Sequence, residues 1–274
     1  MKLQKKSPVP LELVLIILII LVGVFVYSGC VLLDYRLESR AQQREHEQLR
    51  QLLQTDLPEQ ENLPAHVTVT DPESGEERMV LRQYAALYER NRDLVGWVSI
   101  PDTRINYPVI QSAVKDYYLR RNFEKKRANH GSIYVWEQAD VFAPSDNVTL
   151  FGHRMNDGTM FYDLLNYARE EFWQAHPTFR FDTLEGEYKY EIFAAFRTSG
   201  TGGEGFDYHT FVNAADSAQF DAFVNKCREL SLYDTGITPQ YGDKLATLST
   251  CDYALKNGRM VVVGHRIDNE LPHS

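Results

Sequence analysis

TLSTCDYALKNGRMVVVG, residues Thr247 to Gly264, reads as a strand, a turn and a returning strand. Side chains alternate along a strand, so Thr247, Ser249 and Cys251 share one face and Leu248 and Thr250 the other. Cys251 closes the first strand, where a side chain can face a groove instead of the core. Asn257-Gly258 is a turn signal. Arg259 opens the second strand, and an antiparallel return brings it back beside Cys251. A guanidinium there can favour a thiolate or hold a developing oxyanion. A surface arginine that merely begins a strand is the plain alternative.

A second stretch, NVTLFGH (Asn147 to His153), is an apolar strand ending at Gly152-His153 and followed by the polar loop RMNDGTMF. His153 sits at a strand end among polar neighbours, a setting that none of the other seven histidines shares. His130 and His265 are the nearest rivals, and both read as surface residues. No HExxH pattern or His/Cys cluster with ligand spacing occurs, so neither a metal nor another cofactor is expected. Cysteine, histidine and arginine at strand ends make a plausible nucleophile, base and oxyanion stabiliser. Spacing alone does not bring them together.

The intervening chain is dominated by short β runs. They are Leu94–Ile100, Tyr107–Ile110, Ser132–Trp136, Asn147–Gly152, Phe179–Thr183, Tyr188–Arg197, Lys244–Cys251 and Arg259–Arg266, with turn signals between them. Apolar spacing predicts helices over 79–90, 159–174 and 215–230, the last carrying Phe220, Phe223, Val224 and Cys227 on one side. Many strands and few helices predict a mainly β fold, a mixed barrel with helices.

Leu13 to Leu33 carries no charge and would span about 30 Å as a helix, enough for a bilayer core. It is too long for a cleaved leader and lacks a small-residue cleavage site. Ser28-Gly29-Cys30 resembles a lipidation site, but Tyr27 fits it poorly. Lysines at 2, 5 and 6 precede the span and arginines at 36, 40, 44 and 50 follow it, so charge counting leaves the orientation open. The polar run 34–54 reads as a stalk and the Pro- and acid-rich 55–78 as a linker. The organisation expected is thus 1–12 cytoplasmic, 13–33 transmembrane, 34–78 stalk and linker, and 79–274 folded domain. A net charge of -9 argues against a nucleic-acid partner. Three cysteines without a CxxC pair argue against a disulfide framework.

Taken together, these segments resemble the sortases, specifically class B. TLSTC is similar to the family's nucleophile motif, RMVVV to the strand that opens on its catalytic arginine, and LFGHRMNDGTMF to the segment bearing its catalytic histidine. NRDLVGWVSIPDTRINYPVIQS, YYLRRNF and GSIYVWEQAD resemble further family blocks in the same order. The resemblance covers about residues 80–268. Class B is indicated by the helix at 215–230, between the sixth and seventh strands, and by the helix before Trp97.

The resemblance implies an eight-stranded sortase β-barrel with amino-terminal helices, and a cysteine transpeptidase. Cys251 would be the nucleophile, His153 the acid/base and Arg259 the charge stabiliser, with Leu119, Ser249 and Thr250 at groove-lining, substrate-binding positions. It implies secreted substrates with a C-terminal sorting motif of the Asn-Pro-x-Thr-x kind, and a peptidoglycan-precursor amine as acceptor. It also implies a single-pass anchor with the amino terminus inside and the catalytic domain outside. A pilin-polymerising sortase is an alternative, although Asp71-Pro72 is followed by Glu73 where such enzymes often carry an aromatic lid residue. An L,D-transpeptidase lacks support, as its His-Gly-Cys type motif is absent. A papain-like protease would place cysteine before histidine. A non-catalytic binding module on the same fold is disfavoured by the retained Cys, His and Arg.

Overall fold

The computed structural model describes residues 10–53, 64–72, 75–200, 205–254 and 256–267. The chain divides into two compact units, one ending at Arg44 and the other running from Glu45. The first unit is the bulk of a long helix, α1 (Leu11–Leu52). Its apolar part is exposed along its length, and one window has a mean hydropathy of 2.9, enough to cross a membrane by length and composition.

The second unit begins with the last turns of α1, where Leu49 is fully buried. A hairpin follows, β1 (His66–Thr70) against β2 (Glu77–Leu81). This corrects the linker reading of 55–78 over its second half and moves the folded region upstream of residue 79. The segment looked like linker because Asp71, Pro72 and Gly75 are turn residues; here they connect two strands instead of separating two domains. Val69 and Val80 are buried with Leu49 in one cluster, and that burial outweighs the polar composition around them. The helix expected over 79–90 is likewise shortened, to a 3-10 turn at Arg82–Tyr84 and α2 (Ala85–Arg90), because its first residues are taken up in β2.

Eight further strands close into a barrel: β3 (Leu94–Ser99), β4 (Asn106–Ile110), β5 (Ile133–Val135), β6 (Asn147–Phe151), β7 (Thr178–Thr183), β8 (Lys189–Ser199), β9 (Leu245–Asp252) and β10 (Gly258–Ile267). Each coincides with a predicted run. The order around the barrel is β10-β8-β7-β3-β4-β5-β6-β9. Two pairings are parallel, β4 with β5 and β6 with β9; the others are antiparallel. Period-2 alternation sends Ala246, Leu248, Met260 and Val262 into the barrel. Val261 and Val263 point outward and are buried too, beneath α4 (Ser217–Leu230), whose Phe220, Phe223, Val224 and Cys227 face them. Burial on both faces explains why RMVVV reads as a continuous apolar run. Each such side chain contributes about 2 kcal/mol of apolar burial. Asp216 caps α4 by accepting from the Gln219 amide at 2.9 Å. The helix lies between the sixth and seventh barrel strands, as predicted.

The single helix expected over 159–174 is broken into a 3-10 segment, Tyr162–Ala168, and α3 (Glu170–Ala175). Arg169 between them is extended, at φ -114° and ψ 129°. The Asp163 carboxylate accepts from the backbone and guanidinium of Arg104, and the Tyr167 hydroxyl donates to the His176 carbonyl. These tertiary contacts hold the segment against the barrel and outweigh its local preference for one continuous helix.

Candidate active site

Cys251 lies one residue before the end of β9, with its two neighbouring strands at the same level. On one side, β10 pairs Arg259 directly with Cys251. Paired residues of an antiparallel ladder project to the same face. The Arg259 Nη1 donates to Sγ of Cys251 at 3.1 Å and to the Gly258 carbonyl at 3.3 Å. The reversal needs a left-handed residue, and Asn257 supplies it at φ 52°.

On the other side, β6 runs parallel to β9 with Phe151 opposite Ser249. The Gly152 amide donates to the Ser249 carbonyl at 3.1 Å, extending the ladder one step. His153 follows immediately, two residues beyond the last paired residue of β6, as Cys251 stands two residues beyond its partner Ser249. Gly152 is required here, since a Cβ would meet Ile133 Cδ1 at 2.5 Å and the Phe161 ring at 2.7 Å. The structure thus brings Arg259 onto Cys251, and the strand that leads into His153 pairs with the strand that carries Cys251.

The His153 Nε2 lies 2.8 Å from the Leu119 carbonyl. A carbonyl only accepts, so Nε2 carries the proton and a neutral ring keeps its lone pair on Nδ1. Burial lowers the His153 pKa below the usual histidine value; the Leu119 bond opposes this, while Arg120, His130 and Arg259 add to it. The imidazole is neutral at neutral pH. Leu119 belongs to a 3-10 turn, Tyr117–Arg120, anchored by the buried Tyr118.

Ser249 is buried on the Cys251 face, its hydroxyl 2.5 Å from that of Tyr208. Burial pushes the Tyr208 pKa up to about 12, against the opposing pull of Ser249 and Arg259. Thr250 is different. It points into the barrel opposite Met260, is 2% exposed, and its Oγ1 has no partner. Its side chain is therefore not brought to the groove, and the substrate-binding expectation for it is corrected. The reason is strand alternation, which separates it from Ser249 and Cys251.

Two aromatic neighbours were not singled out in the sequence. Tyr208 follows the glycine-rich stretch, of which 201–204 lie outside the described residues. His209 packs edge-on against Trp136 at 4.9 Å and against Phe151 at 6.0 Å. Burial lowers its pKa, Asp207 and Glu137 oppose the shift, and Lys115 and Arg259 reinforce it. Nothing in the local pattern marks either residue; long-range packing places them. His130 is 1% exposed and paired with Asp157 at 2.8 Å, so its surface reading is corrected. His265 is partly exposed beside Glu191. Cys227 is buried in the core as expected, and burial pushes its pKa well up. Asp252, next to Cys251, is occupied by Arg197 at 2.6 Å. No cluster of three metal-binding side chains occurs among the described residues.

The sortase domain family matches residues 98–267, which hold every barrel residue of the site. The chain belongs to the sortase family. This sortase is 32% identical over 247 residues to sortase B of Listeria monocytogenes, covering 89% of this chain and 92% of the relative. It is 28% identical over 245 residues to sortase B of Staphylococcus aureus, with the same coverage. Among solved structures, a Staphylococcus aureus sortase B–substrate complex superposes with a TM-score of 0.72 at 26% identity, covering 85% of this chain and 99% of that one. Sortase B from Bacillus anthracis superposes at 0.68 with 30% identity, covering 85% and 99%. The eight-stranded barrel is thus that of the class B sortases.

Proposed function

We propose that this sortase is a membrane-anchored cysteine transpeptidase that joins secreted proteins to a cell-wall amine. The observation that carries the reading is the Arg259 guanidinium at 3.1 Å from Cys251 Sγ, on a strand whose other neighbour, β6, leads directly into His153. Cys251 Sγ attacks the carbonyl carbon of the threonine in a C-terminal sorting motif. Its thiol proton passes to the lone pair on His153 Nδ1. Arg259 holds the negative charge that develops on the carbonyl oxygen. The C–N bond breaks, the leaving amine takes the proton from His153, and a thioacyl-enzyme remains. An acceptor amine then attacks the thioester and Cys251 is released. Splitting one hard acyl transfer into two easier ones is the purpose of the covalent intermediate.

A Staphylococcus aureus sortase B solved with a substrate, and a sortase B complexed with triglycine, support a peptide donor and an amine acceptor. Leu119 and Ser249, beside His153 and Cys251, would line the donor groove. The apolar helix supports an anchor over 13–33, and the proposed chemistry on secreted proteins favours a cytoplasmic amino terminus with the catalytic unit outside. There a tether keeps enzyme, emerging substrates and lipid-linked precursors concentrated together.

The test incubates the full chain in detergent with quenched peptides of Asn-Pro-x-Thr-x and Leu-Pro-x-Thr-Gly type and an amine acceptor, with Cys251→Ala as control. Cleavage after threonine, a thioacyl adduct by mass spectrometry and a ligated product are expected, all lost in the variant. A folded protein that gives no adduct and whose Cys251 resists alkylation would overturn the assignment.

A further inference from the structure

His153 is held by two stretches of chain that lie outside the barrel strands. The first is the loop that follows it. Arg154 and Met160 form an isolated bridge across this loop, and the Phe161 amide donates to the His153 carbonyl at 2.9 Å. Asp157 sits within the loop, its Oδ1 accepting from the amide and hydroxyl of Thr159 at 3.0 and 2.6 Å. Met160 closes it at a φ of 58°, which a non-glycine residue keeps only where its surroundings impose it. The second stretch runs behind Leu119, whose carbonyl accepts from the His153 ring. There the Arg120 carbonyl accepts from the Ala128 amide at 3.0 Å, and the Arg120 guanidinium donates to the Asn129 carbonyl at 3.1 Å. His130 comes next, immediately before the Gly131 that backs the Leu119 oxygen.

A buried hydrogen bond joins the two stretches. His130 Nε2 lies 2.8 Å from Asp157 Oδ2, and since a carboxylate only accepts, the ring donates. The side chains are 1% and 13% exposed. The contacts therefore close a circuit. It runs from the His153 ring to the Leu119 carbonyl, along the chain to His130, across to Asp157 and back four residues to His153. Filling the space does not require such a pair, because apolar side chains of similar volume would avoid its desolvation. The pair also leaves His130 Nδ1 buried without a partner. What it supplies, and apolar packing does not, is a fixed length and direction between the loop and the segment behind the carbonyl. Acid/base chemistry is sensitive to such a constraint, since misplacing a reacting group by about 1 Å can cost about a hundredfold in rate.

We propose that His130 and Asp157 are positioning residues for the acid/base step: their hydrogen bond fixes the His153 ring against the Leu119 carbonyl and so fixes the direction of the Nδ1 lone pair. The inference rests on the transpeptidase reading above and deepens it. Both residues act through His153, which alone carries the proton from the Cys251 thiol to the leaving amine. Breaking the link frees the loop and the carbonyl to move apart. The peptide still binds, and the rate of thioester formation falls.

The full chain in detergent is given a sorting-motif peptide, and thioacyl formation is followed in single turnover by mass spectrometry over a range of peptide concentrations. Asp157→Ala and His130→Ala are each expected to lower the saturating acylation rate about tenfold or more, with the half-saturating peptide concentration within about twofold of the unmodified protein. The double variant should be no slower than the slower single one, because both remove the same bond. Asp157→Asn keeps the shape of the side chain but is a weaker acceptor, so it should fall between the unmodified protein and Asp157→Ala. If the alanine variants do not fold, Asp157→Asn decides alone: an unchanged acylation rate overturns the inference. A loss carried by the half-saturating concentration instead of the rate overturns it too, as do losses that multiply in the double variant. Equal acylation in the unmodified protein and all variants overturns the inference and leaves the transpeptidase reading standing. If the unmodified protein forms no Cys251-dependent adduct, that reading falls and the inference falls with it.

Discussion

The Leu119 carbonyl accepts a hydrogen bond from Nε2 of His153 at 2.8 Å, and Gly131 stands directly behind that carbonyl. Gly131 has a φ of 58°, and a Cβ there would lie 2.6 Å from the Leu119 oxygen. Gly131→Ala must therefore shift the carbonyl as well as strain the backbone. Peptide cleavage is expected to fall at least about tenfold while Cys251 remains open to thiol reagents. Unchanged turnover in a folded variant would show that the carbonyl does not orient His153.

Arg259→Lys keeps the charge but loses the planar guanidinium whose Nη1 reaches both Sγ and the Gly258 carbonyl. If the guanidinium geometry stabilises the oxyanion, kcat should fall about a hundredfold with little change in KM. Single-turnover acylation measured by mass spectrometry reads this directly. Full activity in the lysine variant would mean that charge alone suffices.

All eight barrel strands and the pairing of Arg259 with Cys251 were legible in the sequence, because alternation and turn residues are local signals. The helix at 217–230 was legible for the same reason, its apolar spacing lying within the segment. The break at Arg169 was not, since Arg104 and His176 hold that segment from outside it. Nor were Tyr208 and His209, which meet Ser249 and Trp136 only after the barrel forms. The hairpin at 66–81 was hidden because its turn composition matches that of a linker, and only burial against Leu49 tells them apart.

His46 gives a stability that depends on pH. Both ring nitrogens are buried without partners, and the ring lies edge-on to Tyr107 at 4.9 Å. Burial lowers its pKa to about 4, helped by Arg50 and His130 and opposed by Asp157. The folded state keeps His46 neutral while the unfolded chain takes up a proton near pH 6.5. Stability is therefore full above pH 6.5 and declines as pH falls towards 4, by on the order of 3 kcal/mol from this group. Urea unfolding at pH 7, 6 and 5 should show the decline, with a shallower slope in His46→Phe. An unchanged slope would assign the decline to other groups, such as His153.

A chain beginning at Met79 should be distinctly less stable than one beginning at Glu45. It lacks β1, the partner of β2, and two buried members of one cluster, Leu49 and Val69. Losing buried side chains of this size costs a few kcal/mol each. Denaturant midpoints of the two proteins read the difference. Equal midpoints would show that the hairpin and the end of α1 add nothing to the barrel.

The parallel pairing of β6 with β9 has a consequence for when the enzyme becomes competent. Arg259 meets Cys251 through a local hairpin, which a short stretch of chain can form alone. The strand leading into His153 joins that of the same cysteine only when strands from distant parts of the chain close the ring. Pairings of such separation carry a large loop-closure cost and form late. A partly folded chain thus holds Cys251 beside Arg259 before β6 pairs with β9. Barrel closure is therefore the step that completes the surroundings of Cys251, setting a strand on either side of β9.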